Sequence, residues 1–62
     1  MPVVHIHMFE GRTDEQKSAV VKGVTEVLAD AAGAPADATT VVIHETKRSN
    51  WAEGGVLASE AS

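Results

Sequence analysis

The sequence has 62 residues, a formal net charge of −4 with only 5 Lys plus Arg, and no cysteine. It therefore lacks the basic surface that nucleic acid or an anionic membrane demands, and the thiols for a disulfide framework, an iron–sulfur cluster or a thiolate zinc site. A chain this short buries only about 60% of the surface its unfolded form exposes, yet 44% of its residues are hydrophobic, more than two strands and one helix hide within themselves.

Association is the remaining way to cover that surface, and the expectation is an obligate oligomer. No apolar run approaches the roughly 20 residues of a spanning helix, and no charged segment precedes an apolar core at the N-terminus. The predicted compartment is the cytoplasm, and residues 1–62 are predicted to form one domain.

From the N-terminus, Val3 to Met8 alternates, with Val4, Ile6 and Met8 on one face and Val3, His5 and His7 on the other, which predicts a strand. Glu10-Gly11-Arg12 reads as a turn. Thr13-Asp14-Glu15-Gln16 matches a capping box, in which the Thr hydroxyl accepts from the amide three residues on and Gln16 reaches back. From Asp14, the residues Val20, Val21, Val24, Val27, Leu28, Ala31 and Ala32 recur at helical spacing, with Gly33 placed to end the helix and Pro35 preventing its resumption.

Ala36 to Ala38 is a connector in which Asp37 is placed to cap a single helical turn. Thr39 to Glu45 is a second strand rich in β-branched residues. Strand, helix and strand with short connections make a βαβ unit with parallel strands and a right-handed crossover. Thr46 to Asn50 reads as a loop. Trp51 to Leu57, with Gly54-Gly55 at its centre, reads as a hairpin that needs a neighbour to pack on, and Ala58 to Ser62 as a tail. The fold class is thus α/β, a single βαβ unit followed by a short C-terminal β-hairpin.

Pro2 carries the first chemical question. With Met1 removed, its nitrogen becomes a free secondary amine at a chain terminus. An α-amino group ordinarily titrates at about 7.7–8.0, and apolar surroundings or a neighbouring cation lower that value, which suits a base working at physiological pH. With Met1 in place Pro2 is an ordinary tertiary amide, and a proline opening a strand needs no chemical reason. His5, His7 and His44 suggest a three-histidine metal site, but strand histidines on a covered face are more often hydrogen-bonded packing residues, and no carboxylate is placed to orient them. The reading is therefore no metal. Gly54-Gly55 lacks the strand–turn–helix setting of a phosphate loop, and Glu53 or Asp14 alone reads as a solvated charge.

Pro2, the run Glu10-Gly11-Arg12-Thr13-Asp14-Glu15-Gln16-Lys17, the βαβ layout and Asn50-Trp51-Ala52-Glu53-Gly54-Gly55 followed by Leu57-Ala58-Ser59 together resemble the 4-oxalocrotonate tautomerase family over nearly the whole chain. The resemblance implies a homo-oligomer, a hexamer built as a trimer of dimers, and a cofactor-free isomerase of small unsaturated enol or dienol carboxylic acids. It implies Pro2 as general base and Arg12 as the group that binds a substrate carboxylate, with Phe9 and Trp51 giving the amine apolar surroundings.

The chain departs from the family's pattern in two places. The second substrate-binding arginine falls on Thr40, and Arg48 or Lys47, from this chain or a neighbour, is the expected replacement. Glu53 stands where the family is ordinarily apolar and resembles the water-activating glutamate of trans-3-chloroacrylic acid dehalogenase, although that relative has arginine where this chain has Phe9. Two alternatives therefore stand beside the tautomerase: a hydratase or dehalogenase of 3-haloacrylate-like acids using Glu53, and a non-catalytic subunit of a hetero-oligomer.

Overall fold

The computed structural model describes residues 1–61. Strand β1 (Val3–Phe9) is followed by helix α1 (Asp14–Ala32), a 3-10 turn at Ala36–Ala38, strand β2 (Thr40–Thr46), a second 3-10 turn at Arg48–Asn50, and the short strands β3 (Ala52–Glu53) and β4 (Val56–Leu57). β1 and β2 pair in parallel from Val3 opposite Thr40 to Phe9 opposite Thr46, and β3 and β4 pair antiparallel. The predicted βαβ unit with its C-terminal hairpin is the observed architecture.

Local chemistry explains the element ends. The Gln16 amide donates to the Thr13 hydroxyl at 3.1 Å while the Thr13 amide donates to the Gln16 side chain at 2.9 Å, so the capping box satisfies amides that have no helical partner. Gly33 closes α1 in the left-handed conformation, φ 68°, which costs a residue without a Cβ little. Gly54 and Gly55 both have positive φ, 58° and 83°, as a tight two-residue hairpin turn requires.

β1 runs one residue further than its sequence pattern indicates, and β2 is shifted by one, to Thr40–Thr46 from the expected Thr39 to Glu45. The Thr39 amide is taken by the Ala36 carbonyl of the 3-10 turn, while the Glu10 amide donates to the Thr46 carbonyl at 3.1 Å and extends the ladder at its far end. Asp37 does not cap the turn at Ala36–Ala38. Pro35 precedes that turn without a side-chain cap, and the Thr39 hydroxyl donates instead to the Pro35 carbonyl. Nor is the segment after Leu57 a loose tail within the described residues: the Ala58 amide donates to the Trp51 carbonyl at 2.7 Å and the Ser59 amide to the Arg48 carbonyl at 3.2 Å. Ser62 lies outside the described residues.

Helix α1 covers the sheet face that carries Val4, Ile6 and Met8, which are half-buried, while Val3, His5 and His7 on the other face are exposed. Lys17 anchors the helix to β2 through Glu45, Nζ to Oε1 3.0 Å. On the open face one imidazole N–H joins His5 Nδ1 and His44 Nε2 at 2.8 Å, and the His7 ring stacks on His44 with centroids 4.5 Å apart.

No side chain among the described residues is fully buried. The radius of gyration is 14.6 Å, whereas a compact chain of this length has about 10.6 Å. The chain exposes 4506 Å², more than the roughly 3800 Å² of a folded monomer of its mass. These dimensions leave hydrophobic side chains in the open, Val3, Val27 and Val56 among them.

Candidate active site

The predicted site residues fall at two ends of the sheet. At one end, the Pro2 carbonyl accepts from the Thr40 amide at 3.0 Å, and the Met1 ammonium donates to the Ala38 carbonyl at 2.9 Å. With Met1 attached the Pro2 nitrogen is an amide and carries no basicity. Thr40 is thus a direct neighbour of Pro2, brought there by the parallel register rather than by sequence proximity.

At the other end lie Phe9, Arg12, Trp51 and Glu53. Gly11, at φ 120°, turns the chain after β1 so that Arg12 Nη1 donates back to the Phe9 carbonyl at 3.2 Å. The Phe9 ring meets Trp51 edge-on with centroids 5.0 Å apart, a favoured aromatic geometry. A groove of about 340 Å³ opens here, lined by Phe9, Arg48, Trp51, Glu53, Val56, Ala58 and Ala61. Its walls come from the end of β1, the Arg48–Asn50 turn and the hairpin, so the hairpin's position decides whether the groove exists.

Arg48 contributes the groove's cation, its Cζ 4.1 Å from the centre of the Phe9 ring. Lys47, the other expected replacement for the arginine missing at Thr40, only precedes the turn and does not line the groove. Sequence reasoning also missed Val56, Ala58 and Ala61. Val56 enters through its pairing with Glu53 in the hairpin, while Ala58 and Ala61, small residues beyond it, carry no signal of their own and are brought in by the backbone bonds that fold their segment onto Trp51 and Arg48.

Pro2 is not part of this groove. Seven strand residues, Val3–Phe9, lie between, and at about 3.3 Å per residue they put on the order of 23 Å between Pro2 and the Phe9 end. The three histidines lie on the sheet between the two ends, and among the described residues no group of three His, Cys, Asp or Glu side chains is arranged to hold a metal ion.

The chain belongs to the tautomerase family: the family model described as "Tautomerase enzyme" matches residues 2–61. Like the enzymes of that family, it is an isomerase of the tautomerase type. Among individual proteins, it is 47% identical over 60 residues to a 2-hydroxymuconate tautomerase from Comamonas testosteroni, the match covering 97% of this chain and 95% of the relative. A 2-hydroxymuconate tautomerase from Pseudomonas putida is 45% identical over the same share of each. Its fold matches a 4-oxalocrotonate tautomerase isozyme from Methylibium petroleiphilum with TM-score 0.89 at 44% identity, over 95% of each chain. It also matches a heterohexameric 4-oxalocrotonate tautomerase from Chloroflexus aurantiacus J-10-fl with TM-score 0.92 at 29% identity, over the whole of both chains.

Proposed function

We propose that the protein ketonises small enol or dienol carboxylic acids of the 2-hydroxymuconate kind, with Pro2 as the base once Met1 is removed, in a site completed between copies of the chain. The observation that carries the reading is the family match beginning at residue 2, together with Arg12 bonded to the carbonyl of Phe9, whose ring lines an aromatic groove. Because Pro2 and the groove lie at opposite ends of one sheet, the base serving each groove comes from another copy. An uncovered sheet face and the lack of any fully buried side chain among the described residues support that assembly, and a hexamer built from dimers is the form we assign to it.

In this mechanism the Pro2 secondary amine takes the proton of the substrate's enol hydroxyl. The electron pair moves along the conjugated chain, and the resulting ammonium returns the proton to a distant carbon. No proton or electron is gained or lost overall. Arg12 pairs with the carboxylate toward which negative charge moves, where a fixed cation lowers the barrier most. The groove's aromatic rings exclude water and favour the neutral amine.

Intact mass first establishes that Met1 is absent from the purified protein. Pro2→Ala then lowers kcat/KM on 2-hydroxymuconate by about 10²–10⁴, the usual contribution of a general base, and Arg12→Ala lowers it by about 10–100-fold, as the loss of a charged hydrogen bond does. Undiminished turnover in Pro2→Ala overturns the mechanism.

The place of Glu53 in the groove lining favours one second reading, activation of water for addition to a 3-haloacrylate. That reading requires halide release that disappears in Glu53→Gln.

A further inference from the structure

We propose that His5 and His44 form a two-histidine clamp for a divalent transition-metal ion of square-planar preference, Cu2+ above all, on the open face of the sheet. The site lies apart from the aromatic groove and does not depend on the reaction assigned above.

The two ligands come from different strands. His7 stands opposite His44 and His5 opposite Val42, so His5 and His44 are diagonal neighbours in an unbroken parallel ladder. Ligands on paired strands hold their spacing better than ligands on loops. His5 Nδ1 lies 2.8 Å from His44 Nε2, with one N–H between them. A neutral imidazole ligates through either nitrogen, whichever carries the lone pair. When an ion takes the place of the shared N–H, the donor ring moves that proton to its other nitrogen. Both facing nitrogens then present lone pairs, and no proton is gained or lost overall.

The spacing selects the geometry. Metal–imidazole bonds of about 2.0–2.1 Å put two nitrogens about 2.8–3.0 Å apart at a right angle and about 3.3–3.4 Å apart at the tetrahedral angle. The observed 2.8 Å therefore matches adjacent corners of a square, the arrangement that Cu2+ and Ni2+ take with nitrogen ligands. Seating the ion requires the rings to turn their lone pairs off the line joining the two nitrogens, and His5, being exposed, has room to turn.

His7 supports the site without joining it. Its ring stacks on His44 at an interplanar angle of 13° with centroids 4.5 Å apart, and among the described residues only His5 is hydrogen-bonded to His44. Two converging nitrogens rather than three agree with the absence of a three-ligand group among those residues. Neither His5 nor His44 is occupied by a carboxylate, since both ion pairs among the described residues belong to Lys17. The other two corners of the square open onto the uncovered face, to water or to the same histidines of a second copy.

The test titrates Cu2+ into the processed full-length protein against glycine as competing chelator, with visible absorption and electron paramagnetic resonance as readouts. Wild type saturates at one ion per chain if water fills the open corners, or at one per two chains if a second copy does, and in either case the resonance shows coupling to imidazole nitrogens. His5→Gln and His44→Gln each weaken binding about 10²–10⁴-fold, the usual advantage of a second tethered ligand. His7→Gln changes it by less than about twofold. The terminal amine, which Cu2+ also favours, is present in every variant, so the dependence on His44 is decisive. Circular dichroism confirms that each variant is folded. Independently of any variant, substoichiometric Cu2+ broadens the wild-type amide signals of Val42 to Glu45.

No saturable uptake by wild type overturns the proposal, as does wild-type affinity in His44→Gln or an equal loss in all three histidine variants. Broadening confined to the chain terminus and Thr40 places the ion on the amine and overturns it as well.

Discussion

Replacing Val27 by Asp tests where the interior of this protein is made. Val27 is 62% exposed in one chain, on the stretch of α1 where Val4, Gly23, Val24, Val27 and Leu28 line a groove of about 410 Å³. Full burial of a valine contributes about 1.5–3 kcal/mol, so covering the exposed 62% contributes roughly 1–2 kcal/mol per copy. Aspartate loses that and adds the desolvation of a carboxylate, at least about 2 kcal/mol. A two-fold contact feels the change twice, which at the low end comes to about 6 kcal/mol, or roughly a 10⁴-fold weaker association.

On an isolated folded subunit, by contrast, the same exposed position tolerates a polar residue within about 0.5 kcal/mol. Sedimentation velocity over a dilution series, with circular dichroism at each concentration, separates the two cases. The variant is expected to fall apart at concentrations where wild type remains assembled, and to lose helix as it does. A Val27→Asp protein that sediments and unfolds in urea just as wild type does would refute the reasoning and place this face in solvent.

Two further outcomes follow from the local chemistry. Thr13→Ala removes the hydroxyl that accepts from the Gln16 amide and costs about 1 kcal/mol, whereas Thr13→Ser costs little; urea midpoints at fixed protein concentration measure both. The hydrogen bond and charge of Glu45, with a smaller contribution from Asp14, raise the Lys17 pKa above 10.5. The pair's stabilisation is therefore present throughout the neutral range and is lost only as pH rises through that raised value. Glu45→Gln should flatten this alkaline decline in stability, by a small amount because the pair lies at the surface, and an unchanged decline would reassign it to other groups.

Much of the frame was legible because it is written in local chemistry. Alternation over Val3 to Met8, the Thr13–Gln16 capping box, Gly33 with Pro35, and Gly54-Gly55 each act within a few residues, and each stands in the structure where the pattern put it. Bonds between distant residues escaped, as at Glu10 with Thr46, which carries the ladder one residue past its expected end, and at Ala58 and Ser59, which turn an apparent tail into a groove wall. The site was legible as a set of residues and not as a place. The same seven-residue strand that follows Pro2 also separates it from Arg12, and no local pattern says what closes the gap. Arg48 and Lys47 were indistinguishable in the sequence, and of the two only Arg48 lines the groove, its guanidinium over the Phe9 ring.

The absence of any fully buried side chain among the described residues has a consequence for how such a protein varies. In a self-contained domain a substitution is judged once, by the core around it, but in the proposed assembly each altered codon is repeated at every copy's boundary and its effect multiplies with the symmetry. Positions such as Val27 are therefore held to a stricter standard than their solvent exposure in one subunit suggests. A second, slightly different short chain made in the same cell is the natural escape, since it lets one side of a contact change while the other stays.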